Sequence, residues 1–446
     1  MIKRGIIFMA ISMLVATGQL EAMDFNKKTY ENGLTLLHVE RGGIPAVMAS
    51  LIIDASPLHE PSQKAGLAHL TAKTLTEGTK TLGAKELSEA IDFFGASISS
   101  SVNQDYTQLT MSVLKKDIDK IMPIFSEIIM NPSFDEREIG RKKTQIKGQL
   151  RQKEEDPSYL SEREFKRLVF GSHPYGRPVE GSSKTLEDIT AQDVRDFHRR
   201  LYVPHRAILS VVGDITLKEA ESLVMKYLGQ WKDEGFGHKG QLQKVPTSDQ
   251  NIKTHIIEKD TTQASIIFGH IGVERSNPDY YALSVMNYIL GGGGFASRLM
   301  KIVRDELGLT YGINSYFSTN RHEGVFAVEV QTKNEAAERV VEEIKKQVLK
   351  MRQEMVSEEE LKDAKSFLIG SFPRRLETNR KIADLLVVSQ FYRLGDDYIK
   401  KYPQYIESVT REDILRVAKK YLHPDKYTLV ITGKKDLIKI NETGGQ

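Results

Sequence analysis

The amino-acid sequence predicts an α+β protein made of two homologous domains, about 23–233 and 251–446, joined by a linker over 234–250. Three observations lead there. Strand-like alternation and helix-like spacing of apolar residues succeed one another along the chain. One block of that syntax recurs about 220 residues later. A polar, glycine-rich stretch separates the copies, with Gly235-Phe236-Gly237-His238-Lys239-Gly240 and Pro246-Thr247-Ser248.

The chain opens with Lys3 and Arg4 ahead of an uncharged run from Gly5 to Gly18. That run is too short for a bilayer core, which takes about 20 apolar residues. It reads as an export signal over 1–22, cut after Leu20-Glu21-Ala22 or after Ala16-Thr17-Gly18. A retained membrane anchor is the alternative. No later stretch is apolar enough to span, so the mature chain is expected to be soluble and exported to a bacterial periplasm, without a stable membrane span.

After the turn signal Asn32-Gly33, strands are predicted over Leu34–Glu40 and Ala46–Ile53. Leu87, Ala90, Ile91 and Phe94 put a helix over Lys85–Phe94. Alternation of Leu109, Met111 and Val113 gives another strand, and Asp117–Met130 returns to helical spacing before Asn131-Pro132. Ile189-Thr190-Ala191-Gln192-Asp193-Val194 is answered by Val409-Thr410-Arg411-Glu412-Asp413-Ile414 at an offset of 220, as are Pro204 and Gly213 by Pro424 and Gly433. Ile139 and Gly148 match Leu361 and Gly370 at 222, and His38-Val39-Glu40 matches Ile256-Ile257-Glu258 at 218. So small a drift across most of each half marks a duplication. Such a pair either encloses a space between its sheets or simply enlarges a scaffold.

Composition excludes several classes. A chain of 446 residues with 40% apolar and 28% charged residues can build cores and is not disordered throughout. Lys+Arg 63 against Asp+Glu 60 leaves +3, so no nucleic acid is expected as partner. With no cysteine, disulfide scaffolds, thiolate nucleophiles and cysteine-ligated metals are gone. Neither a G-x-S-x-G elbow nor a Walker A sequence occurs.

Ala65 to Lys73 (AGLAHLTAK), then Glu77-Gly78-Thr79, falls where a helix should follow the first strands. Together with Asn32-Gly33-Leu34, His173-Pro174-Tyr175-Gly176, Val212-Gly213-Asp214 and Ser297-Arg298-Leu299, these segments make the mature chain resemble the pitrilysin family over essentially its whole length. The resemblance implies two domains, each a mostly antiparallel sheet packed by helices, arranged as a clam shell around a chamber. In active members the helix carries H-x-x-E-H: two histidines hold zinc, the glutamate polarises the attacking water, and a second glutamate roughly seventy-odd residues on completes the shell. Here the motif reads His69-Leu70-Thr71-Ala72-Lys73, and the distal position falls on Gln149. Ala72 stands at the general base and Lys73 at the second histidine. One imidazole and one amide do not retain Zn²⁺, an ammonium repels it, and alanine accepts no proton. His69 is expected to be a satisfied, partly buried histidine. The remaining histidines offer no second site: Pro204 separates His198 from His205, and His255 and Glu258 share a strand but not a face.

The second half is different. Leu299, Ile302, Val303 and Leu307 form a helical stripe ending at Gly308, and Tyr311 opens a strand with Ile313. By composition alone Arg304 is a surface arginine and Tyr311 a tyrosine at a sheet edge. The resemblance assigns them otherwise: an Arg and a Tyr at this spacing reach the zinc-bound substrate, hydrogen-bonding its carbonyls and the developing oxyanion. Gly291, Gly292, Gly293 and Gly294 follow a predicted helix (Tyr280–Leu290) rather than a strand, which speaks against a dinucleotide loop. They read as a flexible turn touching substrate or partner.

The chain is therefore expected to be the metal-free subunit of a heteromeric zinc metalloendopeptidase. It would bind peptide substrates and lend Arg304 and Tyr311 to a homologous, H-x-x-E-H-bearing partner that holds the zinc. A non-catalytic scaffold or peptide-binding protein is the second reading, and a zinc peptidase with unusual ligands the third.

Overall fold

The computed structural model describes residues 24–235, 243–246 and 252–440. The export signal, and most of the linker, fall outside the described residues. Among the described residues no helix is long and apolar enough to cross a membrane.

Six strands build the first sheet: Asn26–Thr29 (β1), Thr35–Glu40 (β2), Ala46–Ile53 (β3), Ser97–Val102 (β4), Thr107–Leu114 (β5) and Ala207–Gly213 (β6). Their spatial order is β1-β2-β6-β3-β5-β4. Five build the second: Lys253–Glu258 (β7), Gln263–Ile271 (β8), Ile313–Ser318 (β9), Val325–Lys333 (β10) and Thr428–Gly433 (β11), in the order β7-β11-β8-β10-β9. The second order is the first without its edge strand β1. Each sheet has one parallel pair, with Glu40 opposite Gly213 in β2/β6 and Glu258 opposite Gly433 in β7/β11. These are residues that the repeat offset pairs. The helices behind the repeat share a start as well: Thr190 and Asp193 form a capping box on the Ala191–Leu201 helix, and Thr410 and Asp413 form one on the Arg411–Tyr421 helix.

Each half lends one helix to the other. Pro157–Phe170 lies in the first half yet packs on β8 and β11 of the second sheet. Its Phe165 is fully buried among Ile267, Ala327 and Val430, and Ser161 hydrogen-bonds Thr432 (2.7 Å) and the Ser265 carbonyl (3.1 Å). Asn379–Phe391, from the second half, packs on β3 and β6 of the first sheet. Its Asp384 accepts from Ser50 (2.8 Å) and Gln108 (2.7 Å). Pro157 and Asn379 stand 222 apart, the offset of Ile139 and Leu361. Strands of the first sheet consequently divide their side chains between two cores. Leu36, Leu51 and Leu209 face helices of their own half, while Leu37, Ile52 and Val212 join the core of the other. Each such buried aliphatic side chain contributes about 2 kcal/mol.

A polar knot closes the exchange. Asp105, only 1% exposed, accepts from the Tyr175 hydroxyl, the Tyr392 hydroxyl (2.7 Å) and the Arg321 backbone N–H (2.8 Å). Burial, with the Asp105 charge beside them, pushes both phenols far above their usual range, so they stay donors. The Arg321 guanidinium spans to both Asp54 oxygens at 3.1 Å. Asp105→Ala leaves two buried hydroxyls and a backbone N–H without an acceptor, and each orphaned group costs about 1–3 kcal/mol. Denaturant unfolding should show Asp105→Ala losing ~3 kcal/mol or more, both halves melting together. A loss below ~1 kcal/mol would mean that the knot is not structural.

Candidate functional site

The helix Leu67–Thr74 carries the degenerate motif. Gly66 precedes it with φ +99°, a left-handed conformation that suits glycine, and a Cβ there would meet the Glu180 carbonyl at 2.5 Å. Gly181 touches Ala65 in the same way, with φ +76° and a Cβ only 2.1 Å from the Ala65 carbonyl. The two loops interlock, and that contact sets Glu180 beside the helix. Behind it, buried Glu60 accepts the N–H groups of Gly66 and Ala68, each at 3.0 Å. Burial pushes the Glu60 carboxyl up to about 7, against these bonds and the nearby Arg177 guanidinium.

His69 and Lys73 lie four residues apart, on one face of this helix. Burial pushes the His69 imidazole down to about 4; Glu180 works against that, while Lys73 and Lys153 add to it. Contrary to the expectation of a satisfied histidine, its Nδ1 is buried without a hydrogen-bond partner. Ala72 is fully buried. The Lys73 ammonium donates to the Ser100 carbonyl on edge strand β4 (3.0 Å), and Ser100 Oγ returns a bond to the Ala72 carbonyl (2.7 Å). Burial holds the Lys73 pKa below its usual range, Lys142 depresses it further, and Glu180 opposes them. Gln149 is exposed on the neighbouring Glu136–Lys153 helix. Around these residues Lys142 pairs with Glu77 (2.6 Å) and Lys153 with Glu180 (2.6 Å). Zinc does not fit this set: an imidazole, an amide and three ammonium groups offer no tetrahedral cage. Among the described residues no group of three or more His, Asp or Glu is placed to hold a metal ion.

Next to this site a cavity of about 720 Å³ is lined by both halves. Lys153, Tyr159 and Glu162 border it from the first half; Glu329, Gly294 and Tyr311 border it from the second. The Tyr316 hydroxyl donates to Glu329 (2.6 Å), and burial, with Glu162 nearby, raises the Glu329 carboxyl above its usual range despite that bond.

Tyr311 is 90% exposed and sits in the turn before β9 rather than within the strand. Arg304 belongs to Met300–Glu306, a π-helical segment, a geometry common at functional sites. Its guanidinium lies 4.8 Å from the Phe295 ring centroid and pairs with Asp305 (3.0 Å). Tyr311 therefore meets the cavity while Arg304 is not among the residues that line it. The glycines divide too. Side chains at Gly291, Gly292 or Gly293 would collide with Ser315, Asn287 or Tyr288, so these three serve close packing. Gly294, with φ +57° and open space around it, is the one that reaches the cavity.

The exchanged helix, Glu180 and Ser100 had no part in the sequence reading. Continuity of the repeat through Pro157 and Asn379 was the signal that could have revealed the exchange.

The fold and the disabled donor set together define a two-sheet protein of inverted-motif peptidase type that lacks its metal ligands. Comparison with known proteins agrees on the class of fold. Residues 39–183 match the family described as insulinase (peptidase family M16), and residues 188–368 match the peptidase M16 inactive domain. A Helicobacter pylori protein named non-peptidase homolog YmxG is 30% identical over 320 residues, covering 70% of this chain and 72% of its own. A Rickettsia felis protein named as an uncharacterized zinc protease is 28% identical over 422 residues, 93% of this chain and 98% of its own. A crystal structure of a peptidase M16 inactive domain from Pseudomonas fluorescens superposes with a TM-score of 0.87 at 26% identity, covering 93% of this chain and 100% of that one. The chain belongs to the peptidase M16 (insulinase, pitrilysin) family.

An unfolded histidine takes its proton near pH 6.5 and folded His69 only near pH 4, so acidification between these values favours the unfolded chain. NMR titration should give His69 a pKa below about 5. His69→Gln should make the stability loss between those pH values shallower but not abolish it, since burial also lowers His173, His198, His270 and His423. Elemental analysis of the purified chain should find far less than about one zinc per chain; stoichiometric zinc would contradict the reading of the donor set.

Proposed function

We propose that this chain is the metal-free subunit of a heteromeric zinc metalloendopeptidase, exported to the periplasm, that binds peptide substrate beside a homologous H-x-x-E-H-bearing partner. The observation that carries the reading is the pairing of a donor set unfit for zinc with an exposed phenol, Tyr311, on a cavity lined by both halves. A cavity of this size suits several residues of an extended peptide. Its mixed lining supplies the hydroxyls of Tyr311 and Ser158, the carboxylates of Glu162 and Glu329, and the backbone at Gly294. In this reading the two halves form a clam shell, with zinc and the water-activating glutamate on the partner. Tyr311 hydrogen-bonds the substrate carbonyl in the shared chamber, and Arg304 joins it after leaving Phe295 and Asp305.

A non-catalytic, peptide-binding scaffold is the second reading. It is favoured by the position of Arg304 over Phe295 and by the name of the Helicobacter pylori relative.

Reconstitution with a zinc-bearing homologue separates them. The isolated chain should not hydrolyse peptides. In the pair, Tyr311→Phe and Arg304→Ala should each lower kcat by about 10- to 100-fold, with assembly unchanged by analytical ultracentrifugation. Full turnover in both variants, with intact assembly, would leave the scaffold reading standing.

A further inference from the structure

The degenerate metal site has a charge imbalance. Three ammonium groups, Lys73 and Lys153 beside His69 and Lys142 beside Lys73, stand against two carboxylates, Glu180 and Glu77. Lys142 is paired with Glu77 and Lys153 with Glu180, both at 2.6 Å. Lys73 is left with a neutral partner, the Ser100 carbonyl, which engages one of its three N–H donors. A half-buried ammonium without an ion-pair partner of its own carries a desolvation cost that a bound anion relieves. One turn away the buried Nδ1 of His69 has no hydrogen-bond partner among the described residues, so the imidazole on the same helix face holds unused bonding capacity. Lys153 links the site to the 720 Å³ cavity, since it belongs both to the His69 environment and to the cavity lining.

We propose that the former metal position has become an anion site, in which Lys73 and His69 hold a peptide carboxylate entering from the cavity. The inference rests on the peptide-binding reading and names the end of the ligand that this site takes. Lys73 supplies the charge and a donor. His69 supplies an imidazole N–H, and Lys142 and Lys153 add positive potential from the adjoining helix. Glu180 and Glu77 are the carboxylates beside Lys73, and their existing ion pairs keep them from neutralising it in full; Asp156, Glu162 and Glu329 line the cavity beyond. A C-terminal α-carboxylate fits better than an internal side chain, since a chain end can enter a dead-end site without the rest of the peptide passing through.

Three N-terminally fluorescein-labelled peptides of one uncharged sequence test this on the full chain by anisotropy: a free acid, its carboxamide, and a carboxamide with one internal Asp. The free acid should bind at least about tenfold more tightly than its carboxamide, and Lys73→Met should abolish the difference. Equal preference for the internal Asp peptide supports the carboxylate site and assigns a side chain as its source. Equal binding of all three, or a preference that survives in Lys73→Met, overturns the anion site while leaving peptide binding intact. Binding of none overturns both readings. Should Lys73→Met fail to fold, sodium acetate added to the native chain should move the His69 imidazole resonances and chloride should not. Resonances unmoved by acetate overturn the proposal.

Discussion

Asp105 is a carboxylate taken out of water where the two halves of the chain meet. Such a group persists only when its oxygens are supplied with donors, and these come from three separate places in the sequence. Tyr175 follows the helix lent by the first half, Tyr392 follows the helix lent by the second, and Arg321 lies between β9 and β10. No one of them can be repositioned without exposing the others. The cavity inherits this constraint, because one of its walls is the Pro157–Phe170 helix, whose C-terminal continuation leads straight to Tyr175. The geometry in which Tyr311 and Tyr159 line one peptide-sized space is thus fixed by a knot outside that space.

The Leu67–Thr74 helix keeps its position by hydrogen bonds and close packing. Glu60 satisfies two of its first N–H groups, Gly66 lies against Glu180, and Thr74 returns its hydroxyl to the Leu70 carbonyl (2.8 Å). Nothing in that scaffold needs His69, Ala72 or Gln149 to be ligands. Loss of zinc chemistry therefore carries no necessary loss of fold, which is how a protein of this family can keep its architecture with the donors gone.

Much of the fold was legible because it is local and repeated. The capping boxes at Thr190 and Thr410 and the strand ends at Gly213 and Gly433 are set by residues a few positions apart, and duplication displays each twice. The zinc-incompetent motif was legible through the family resemblance, which assigns roles to residues 69, 72 and 73, and helical spacing then puts 69 and 73 on one face. The helix exchange was less so: periodicity marks an amphipathic helix but not the sheet that receives it. His69 was misjudged as satisfied because its want of a partner depends on where Glu180, Lys153 and Ser100 arrive from distant segments. The glycine run was read as a flexible turn, yet at Gly291 to Gly293 the absent side chains make room for Ser315, Asn287 and Tyr288. A glycine required by a crowded neighbour and one required by a turn look alike in sequence.

The duplication also gives Lys73 a structural explanation that is independent of any ligand. In the second half, Asn287 ends the helix that follows β8, donates to the Ser315 carbonyl on edge strand β9 (3.0 Å), and receives the Ser315 hydroxyl (2.8 Å). In the first half, the helix that follows β3 donates through Lys73 to the Ser100 carbonyl on edge strand β4, and the Ser100 hydroxyl returns to that helix at Ala72. Both halves fasten a helix to an edge strand through a two-way bond with a serine, occupying a backbone acceptor that an edge would otherwise present. The first half uses a long ammonium where the second uses a short amide, and only the ammonium brings a charge with donors to spare. At residue 73 the first half carries the counterpart of the second half's latch, and the surplus charge at this site comes with that ammonium.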